Sequence, residues 1–305
     1  MVNEYSDYLK FIDDALKLSK KIPKYFSKFS NKIYCNHQKL AIVVLMQKFK
    51  TTTRGIVSIL KASSDIRLHL GLHRVPVHTT MVRFVNKIRK QINKLLGINQ
   101  AVNAAVDATG FELESKSYYY RTIWNSDIQQ KAKRYMKLSL SADTDKLFIL
   151  QCKIRRKPRN DNIDFKHILR NLKIKYLYAD KGYDSKQNRQ FVINKLHAVP
   201  VIPVRRHTNF YGYSRGLRKI DGKKYHQRSK VETIFSMIKR KYGSILRNRT
   251  FATQKVELIS KLIAHNIDRM QYYLLLILRG LHQSLVCRDR GNFKKCLNIR
   301  KEKFK

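Results

Sequence analysis

Four residues in the C-terminal half have types and spacing that suit phosphate chemistry. Tyr225, Arg228, Glu232 and Lys239 stand at offsets 0, 3, 7 and 14. At about 100° per residue these offsets fall within one stripe of an α-helix. One carboxylate is therefore expected on the same face as a guanidinium, an ammonium and a phenol. Such a face suits an acid that holds a metal ion while its neighbours hold phosphates. Two upstream acids have the context to complete the site. Asp107 ends the apolar run Val102-Asn103-Ala104-Ala105-Val106 and precedes Ala108-Thr109-Gly110. Asp180 ends the run Ile174-Lys175-Tyr176-Leu177-Tyr178-Ala179 and precedes Lys181-Gly182-Tyr183. Both read as strand ends with a turn signal behind them. Two strand-end acids and one helix acid can converge on a pair of divalent cations. Magnesium takes hard oxygen ligands. Two such ions about 3.5–4 Å apart can stabilise the attacking and leaving oxygens of an in-line phosphoryl displacement.

Each acid also has an ordinary reading. Asp107 could be a turn aspartate. Glu232 could do no more than pair with Arg228, four positions before it. Asp184 competes with Asp180, but it precedes a helical pattern that begins at Ser185, and helix capping is its natural role. Asp180 is preferred because ligands gather at the strand ends of open α/β sheets.

The elements that must position these acids are legible in outline. Strand-like runs cover 102–108, 135–140, 146–154, 174–179 and 198–204. Ser141-Ala142-Asp143-Thr144-Asp145 reads as a hairpin turn between the second and third. Helical patterns lie near 164–172, 185–196 and 230–242. The order is three strands, helix, strand, helix, strand, then the Glu232 helix, which suits a mixed sheet with helices on its faces. Asp143, Asp145, Asp161 and Asp164 are expected to face solvent.

The first hundred residues show little sign of strands. Helices are expected from Glu4 to Leu18, from His37 to Phe49, and from a cap at Thr51-Thr52-Thr53 through Leu60. Another begins near Thr79-Thr80, with Met81, Phe84, Val85 and Ile88 on one face and Arg83, Lys87, Arg89 and Lys90 on the other. This suggests a helix-turn-helix-like unit with 79–92 as the recognition helix and Arg83 and Lys87 on DNA. The plainer reading is a helical bundle whose lysines are solvated. The implied division is a helical DNA-binding domain over 1–98, a catalytic α/β domain over 99–283 and a basic tail over 284–305. Residues 205–224 read as a basic loop near the acids.

These motifs resemble those of prokaryotic insertion-sequence DDE transposases, in the branch marked by the signature Y-x2-R-x3-E-x6-K. Tyr225, Arg228, Glu232 and Lys239 match that signature without departure. Ala179-Asp180-Lys181-Gly182-Tyr183-Asp184 is similar to the second-aspartate motif, and Val106-Asp107-Ala108-Thr109 to the first. The resemblance covers about residues 100–270. It implies an RNase H-like core in which Asp107, Asp180 and Glu232 form the catalytic triad and hold two Mg²⁺ ions, with Mn²⁺ able to substitute. It implies that Tyr225, Arg228 and Lys239 contact DNA near the scissile phosphate. The partners would be double-stranded DNA, both element ends and target, with a dimer assembled on the DNA. A nuclease of the same fold that cuts without joining, an inactive copy that only binds DNA, and a basic RNA-binding or membrane-surface protein stay open as alternatives.

Composition agrees with a polyanion partner. The chain has 305 residues, with 65 lysines and arginines against 21 acids, a net charge of +44. Such a field draws in polyanions, and neutralising phosphates releases counterions. Hydrophobic residues make up 43%, enough to build a packed core. Cys35, Cys152, Cys287 and Cys296 match no zinc spacing and read as free thiols. No secretory signal is visible, and the longest apolar run, Tyr272 to Leu278, is too short to span a bilayer. It reads as a buried helix. The expected setting is the cytoplasm, in association with the nucleoid. Trp124, the single tryptophan, reads as a core residue, with stacking on a flipped base as the alternative.

Overall fold

The computed structural model describes residues 4–96, 98–114, 135–156, 160–204 and 225–289. Trp124, the 205–224 stretch and the tail beyond Asp289 lie outside them. The first layer is helical: α1 (Glu4–Ser19), α2 (Asn36–Lys48), α3 (Thr53–Ala62), α4 (Ser64–His69) and α5 (His78–Ile88). Its starts are set by local chemistry. Thr52 caps α3 by accepting from the Gly55 N–H. Cys35 and Gln38 form a reciprocal capping box at α2. The helix expected over 79–92 is shorter, because a 3₁₀ turn takes over at Ile92–Leu96.

The sheet follows as β1 (Asn103–Leu113), β2 (Tyr135–Asp143), β3 (Ile149–Arg155), β4 (Tyr176–Ala179), β5 (Val199–Val201) and β6 (Ile245–Leu246). Between them come α6 (Asn162–Leu169), α7 (Lys186–Leu196) and α8 (Ser229–Tyr242), and α9 (Phe251–Asp289) closes the described chain. The strand order is β3-β2-β1-β4-β5, with β2 antiparallel to its neighbours and β4 parallel to β1. This is the RNase H-like mixed sheet. β6 adds to the far end of β1, pairing Glu112 with Ile245 and Leu113 with Leu246.

Strand alternation sorts the sheet into two faces. Ala104, Val106 and Leu177 pack with Phe165, Ile168 and Leu169 of α6 and Val192 of α7. Ala105, Phe111 and Tyr178 pack with α8 and α9. That second cluster continues without a break into Phe11, Leu40, Val44, Ile56 and Phe84 of the helical layer. The N-terminal helices and the sheet therefore share one core, with α9 as the central post. Burial of Ile259, Leu262, Ile263 and Ile267 holds it there.

Three expectations are corrected by this packing. Asp143 and Asp164 are buried rather than solvent-facing. β2 runs on through Asp143, whose carboxylate accepts the N–H groups of Asp145 and Lys146 inside the turn. Asp164 faces β2 and β3, where it accepts from Arg155 Nε at 2.6 Å and Ser139 Oγ at 3.1 Å. Asp184 does not cap α7: Ser185 does, and Asp184 pairs with Arg189 at 2.8 Å. Finally, the Tyr272–Leu278 run is helical but exposed, because α9 continues past the body of the protein.

Candidate active site

The acids meet where β1 loses its neighbour. β4 pairs with β1 only from Asn103 to Val106, and β6 only at Glu112 and Leu113. Between them, the edge of β1 around Asp107 to Phe111 is met by α8 instead of a strand. The last β1–β4 pair is Val106 with Ala179. Asp180 is the next residue after β4, as expected, but Asp107 does not end its strand, because β1 stays paired with β2 and runs on to Leu113. In parallel strands, residues in register point to the same face. Tyr178 belongs to the α8 face, so period-2 alternation sends Asp180 there too. Ala105 and Phe111 put Asp107 and Thr109 on the same side.

α8 supplies the third acid. It starts at Ser229, preceded by a 3₁₀ turn over His226–Arg228. Val231, Ile234, Phe235 and Ile238 bury its inner face, leaving Glu232 outward and 56% exposed at its side chain. The stripe is therefore not one continuous α-helix: Tyr225 and Arg228 belong to the turn before it.

Arg228 is the hub of the cluster. Its Nη2 donates to Glu232 Oε1 at 2.5 Å, and its Nη1 lies 3.8 Å from Asp180 Oδ2. The Tyr225 phenol hydrogen-bonds to Asp180; burial, first, and the nearby carboxylates push its pKa up. Asp180 also accepts the Lys181 N–H at 2.7 Å. Asp107 is the most enclosed of the three acids and accepts the Ala108 N–H at 2.8 Å. Burial pushes its carboxyl above the ordinary value, and the negative charges of Glu232 and Asp180 add to the rise. The Ala108 N–H and Arg228 oppose it. These mutual effects place all three carboxylates in one electrostatic neighbourhood. Among the described residues, no three acids, histidines or cysteines stand in an arrangement that holds a metal ion as it is. Their chemistry nevertheless fits a hard divalent cation, since all three offer carboxylate oxygens to one open edge.

Lys239 takes a position that the spacing did not indicate. Its Nζ donates to Thr109 Oγ1 at 2.8 Å and lies 5.5 Å from the centre of the Phe111 ring. Thr109 is thus a site residue that sequence reasoning passed over. The signal was present, because Thr109 stands two positions after Asp107 on the same strand face. Tyr183, from the Asp180 motif, packs against Phe165 in the core on the other face of the sheet. It is 1% exposed, and its hydroxyl has no hydrogen-bond partner among the described residues. Arg83 and Lys87 are exposed on α5, which packs against α2, α3 and α9; they belong to the helical layer and not to the acid cluster. A cavity of about 420 Å³ lies elsewhere, between the Ile92–Leu96 turn and β3, and none of the acids lines it.

Comparison with known proteins gives three findings. A family model described as the transposase DDE domain matches residues 100–267. Among solved structures, the chain is similar to one described as a cryo-EM structure of the piggyBac transposase synaptic complex with hairpin DNA. Identity there is 10%, coverage is 88% of this chain and 72% of that one, and the TM-score is 0.48. No curated protein sequence matches. Among the described residues, no helix is long and apolar enough to cross a membrane.

Proposed function

The chain belongs to the family of transposase DDE domains, whose model spans more than half of it, and from that premise we propose that it cuts DNA at the ends of an insertion sequence and joins the freed 3′-hydroxyls to target DNA. The observation that carries this reading is the gathering of Asp107, Asp180 and Glu232 at the open edge of β1, beside two basic residues of the signature.

In this reading Asp107, Asp180 and Glu232 hold two divalent ions, Mg²⁺ by preference for its hard-oxygen ligands and Mn²⁺ as a substitute. When bound, such ions lower the pKa of an attacking water or hydroxyl and offset the charge that builds on the phosphate. The protein's own groups do the rest. Arg228 suits a bidentate grip on a phosphate, and Lys239 supplies a point charge beside it. Thr109 and Phe111 hold Lys239 on the strand face that carries Asp107. The Tyr225 phenol orients Asp180. Exposed Arg83 and Lys87 on α5 take the flanking duplex. The reaction joins two DNA ends, so two copies act together. The exposed apolar end of α9 offers them a meeting surface.

The test compares wild type with Glu232→Gln on labelled DNA carrying the element ends, in Mg²⁺ and in EDTA. The substitution keeps shape and removes the ligand charge. Metal-dependent nicking and joining by wild type, with a loss of at least about 10³-fold in Glu232→Gln, is expected. Nicking without joining would make the protein a nuclease. Equal DNA binding with no cleavage by either would leave a binding protein.

A further inference from the structure

We propose that Arg228 is the internal counter-ion of the acid cluster, and that DNA draws it away, so that loading of divalent ions is coupled to DNA binding. The inference rests on the reading above, since it assigns the cluster to ions and the guanidinium to phosphate. It goes further in giving Arg228 a task before DNA arrives.

The geometry is specific. Arg228 reaches two of the three acids at once, Glu232 through Nη2 at 2.5 Å and Asp180 through Nη1 at 3.8 Å. It also acts on the third, since its charge opposes the rise of the Asp107 carboxyl. Its side chain is only 22% exposed, whereas those of Asp180 and Glu232 are 42% and 56% exposed. The guanidinium is thus tucked between carboxylates that open to solvent. Tyr225, from the same turn, binds Asp180 as well. One short turn therefore ties down two oxygen donors.

Three carboxylates and one guanidinium leave a surplus of two negative charges. That surplus attracts a divalent ion, but the ion must compete with Arg228 for Glu232 and Asp180. A DNA phosphate also competes, and a planar guanidinium matches a phosphate with two parallel hydrogen bonds. Once Arg228 turns to phosphate, two carboxylates lose their counter-charge and repel each other. Binding an ion relieves that repulsion. Each ligand therefore favours the other, and the coupling must be reciprocal. Before DNA arrives, the cluster resists ions and so resists untimely cutting.

The experiment titrates full-length protein with Mn²⁺ alone and follows free ion by electron paramagnetic resonance. Wild type, Arg228→Gln, Arg228→Lys and Lys239→Gln are compared, with folding checked by circular dichroism. Arg228→Gln is expected to bind Mn²⁺ about tenfold more tightly than wild type without DNA, in the usual range of such couplings. Arg228→Lys, which keeps the charge but cannot span two acids, should lie between them. Lys239→Gln removes a nearby charge that touches none of the acids and should change affinity much less. A short duplex lacking the element ends should tighten Mn²⁺ binding in wild type and do so far less in Arg228→Gln. Equal isotherms for wild type and Arg228→Gln overturn the proposal, as does a Lys239→Gln isotherm that matches Arg228→Gln. Either result leaves the cleavage assay on Glu232→Gln untouched, so the proposal and the functional reading fail separately.

Discussion

At the scale of single residues, the site depends on which side chains share a strand face. Asp107, Thr109 and Phe111 alternate along β1, and Lys239 reaches down to the last two from α8. Thr109 acts as a positioning residue, because its hydroxyl fixes the ammonium relative to Asp107. Thr109→Val removes the acceptor at nearly constant volume. It is expected to lower the rate of end cleavage about tenfold or more, with DNA affinity nearly unchanged. Thr109→Ser restores the hydroxyl and should restore the rate, as single-turnover assays would show; failure of Ser to rescue would make Thr109 a packing residue only. The acids were legible from their motifs, and Asp180 from its strand end, but Asp107 is not the strand end that it reads as: β1 runs on to Leu113, and pairing with β2 overrides the Ala108-Thr109-Gly110 turn signal. Thr109 was less legible, since its partner lies 130 positions away in sequence. Asp143 and Asp164 were misread for different reasons. Asp164 bonds to Ser139 on β2 and Arg155 on β3, which a local window does not show. Asp143 bonds to N–H groups only two and three positions on, and is buried because β2 runs through it.

At the scale of elements, α9 decides how the layers join. Asp268 receives Lys48 of α2 at 2.5 Å and also binds Lys241 and Tyr242 of α8. One carboxylate thus ties the helical layer to the helix that carries Glu232. Burial alone would raise the Asp268 carboxyl, but the two lysines and the phenol hold it below its ordinary value. Its neighbour His265 is buried and donates from Nε2 to the Leu147 carbonyl, which locks α9 to the β2–β3 turn. Burial lowers its pKa from 6.5 to about 4. The unfolded chain therefore takes up a proton between those values while the folded one does not. Stability should be full above pH 6.5 and fall by about 2–3 kcal/mol by about pH 4.5. Urea unfolding across that range checks the slope. His265→Gln keeps a donor for Leu147 without titrating, and should flatten the slope in this range, whereas the Asp268 share, of the same sign, is lost only below about pH 4. An unchanged slope in His265→Gln would remove His265 as its source. Element types and order were readable because apolar periods of 2 and 3.6 are local. The 3₁₀ turn before α8 was not, because the stripe of Tyr225, Arg228, Glu232 and Lys239 fits one helix equally well on paper.

At the scale of the whole molecule, two features bear on the proposed assembly on DNA: the charge of +44 and the exposed apolar end of α9. At about 1.5 Å per residue, the 39 residues of α9 extend about 58 Å, and the stretch after Ile267 is largely exposed. Met270, Tyr272, Leu274, Leu275, Leu276, Ile277 and Leu278 are 37% to 61% exposed there. Together they make an apolar surface of several hundred Å², on the order of the largest patches seen on monomers. Like charge keeps free copies apart, and DNA phosphates remove that barrier. Leu275→Lys with Leu278→Lys is expected to leave binding of one end intact and to weaken the pairing of two ends about tenfold or more. Band shifts that separate single-end from paired-end complexes would show it. Paired complexes at wild-type levels would free this surface from the role. The sequence by itself determined the strongly basic charge, the order of strands and helices, and which acids stand in the motifs. Those follow from composition, local periodicity and motif spacing. Only the tertiary structure decided that the N-terminal helices share a core with the sheet and that the apolar end of α9 stays open. It alone placed Arg228 between two acids and Lys239 on Thr109. Contacts of that kind join residues far apart in the chain, and no local pattern of residues encodes which of them will meet.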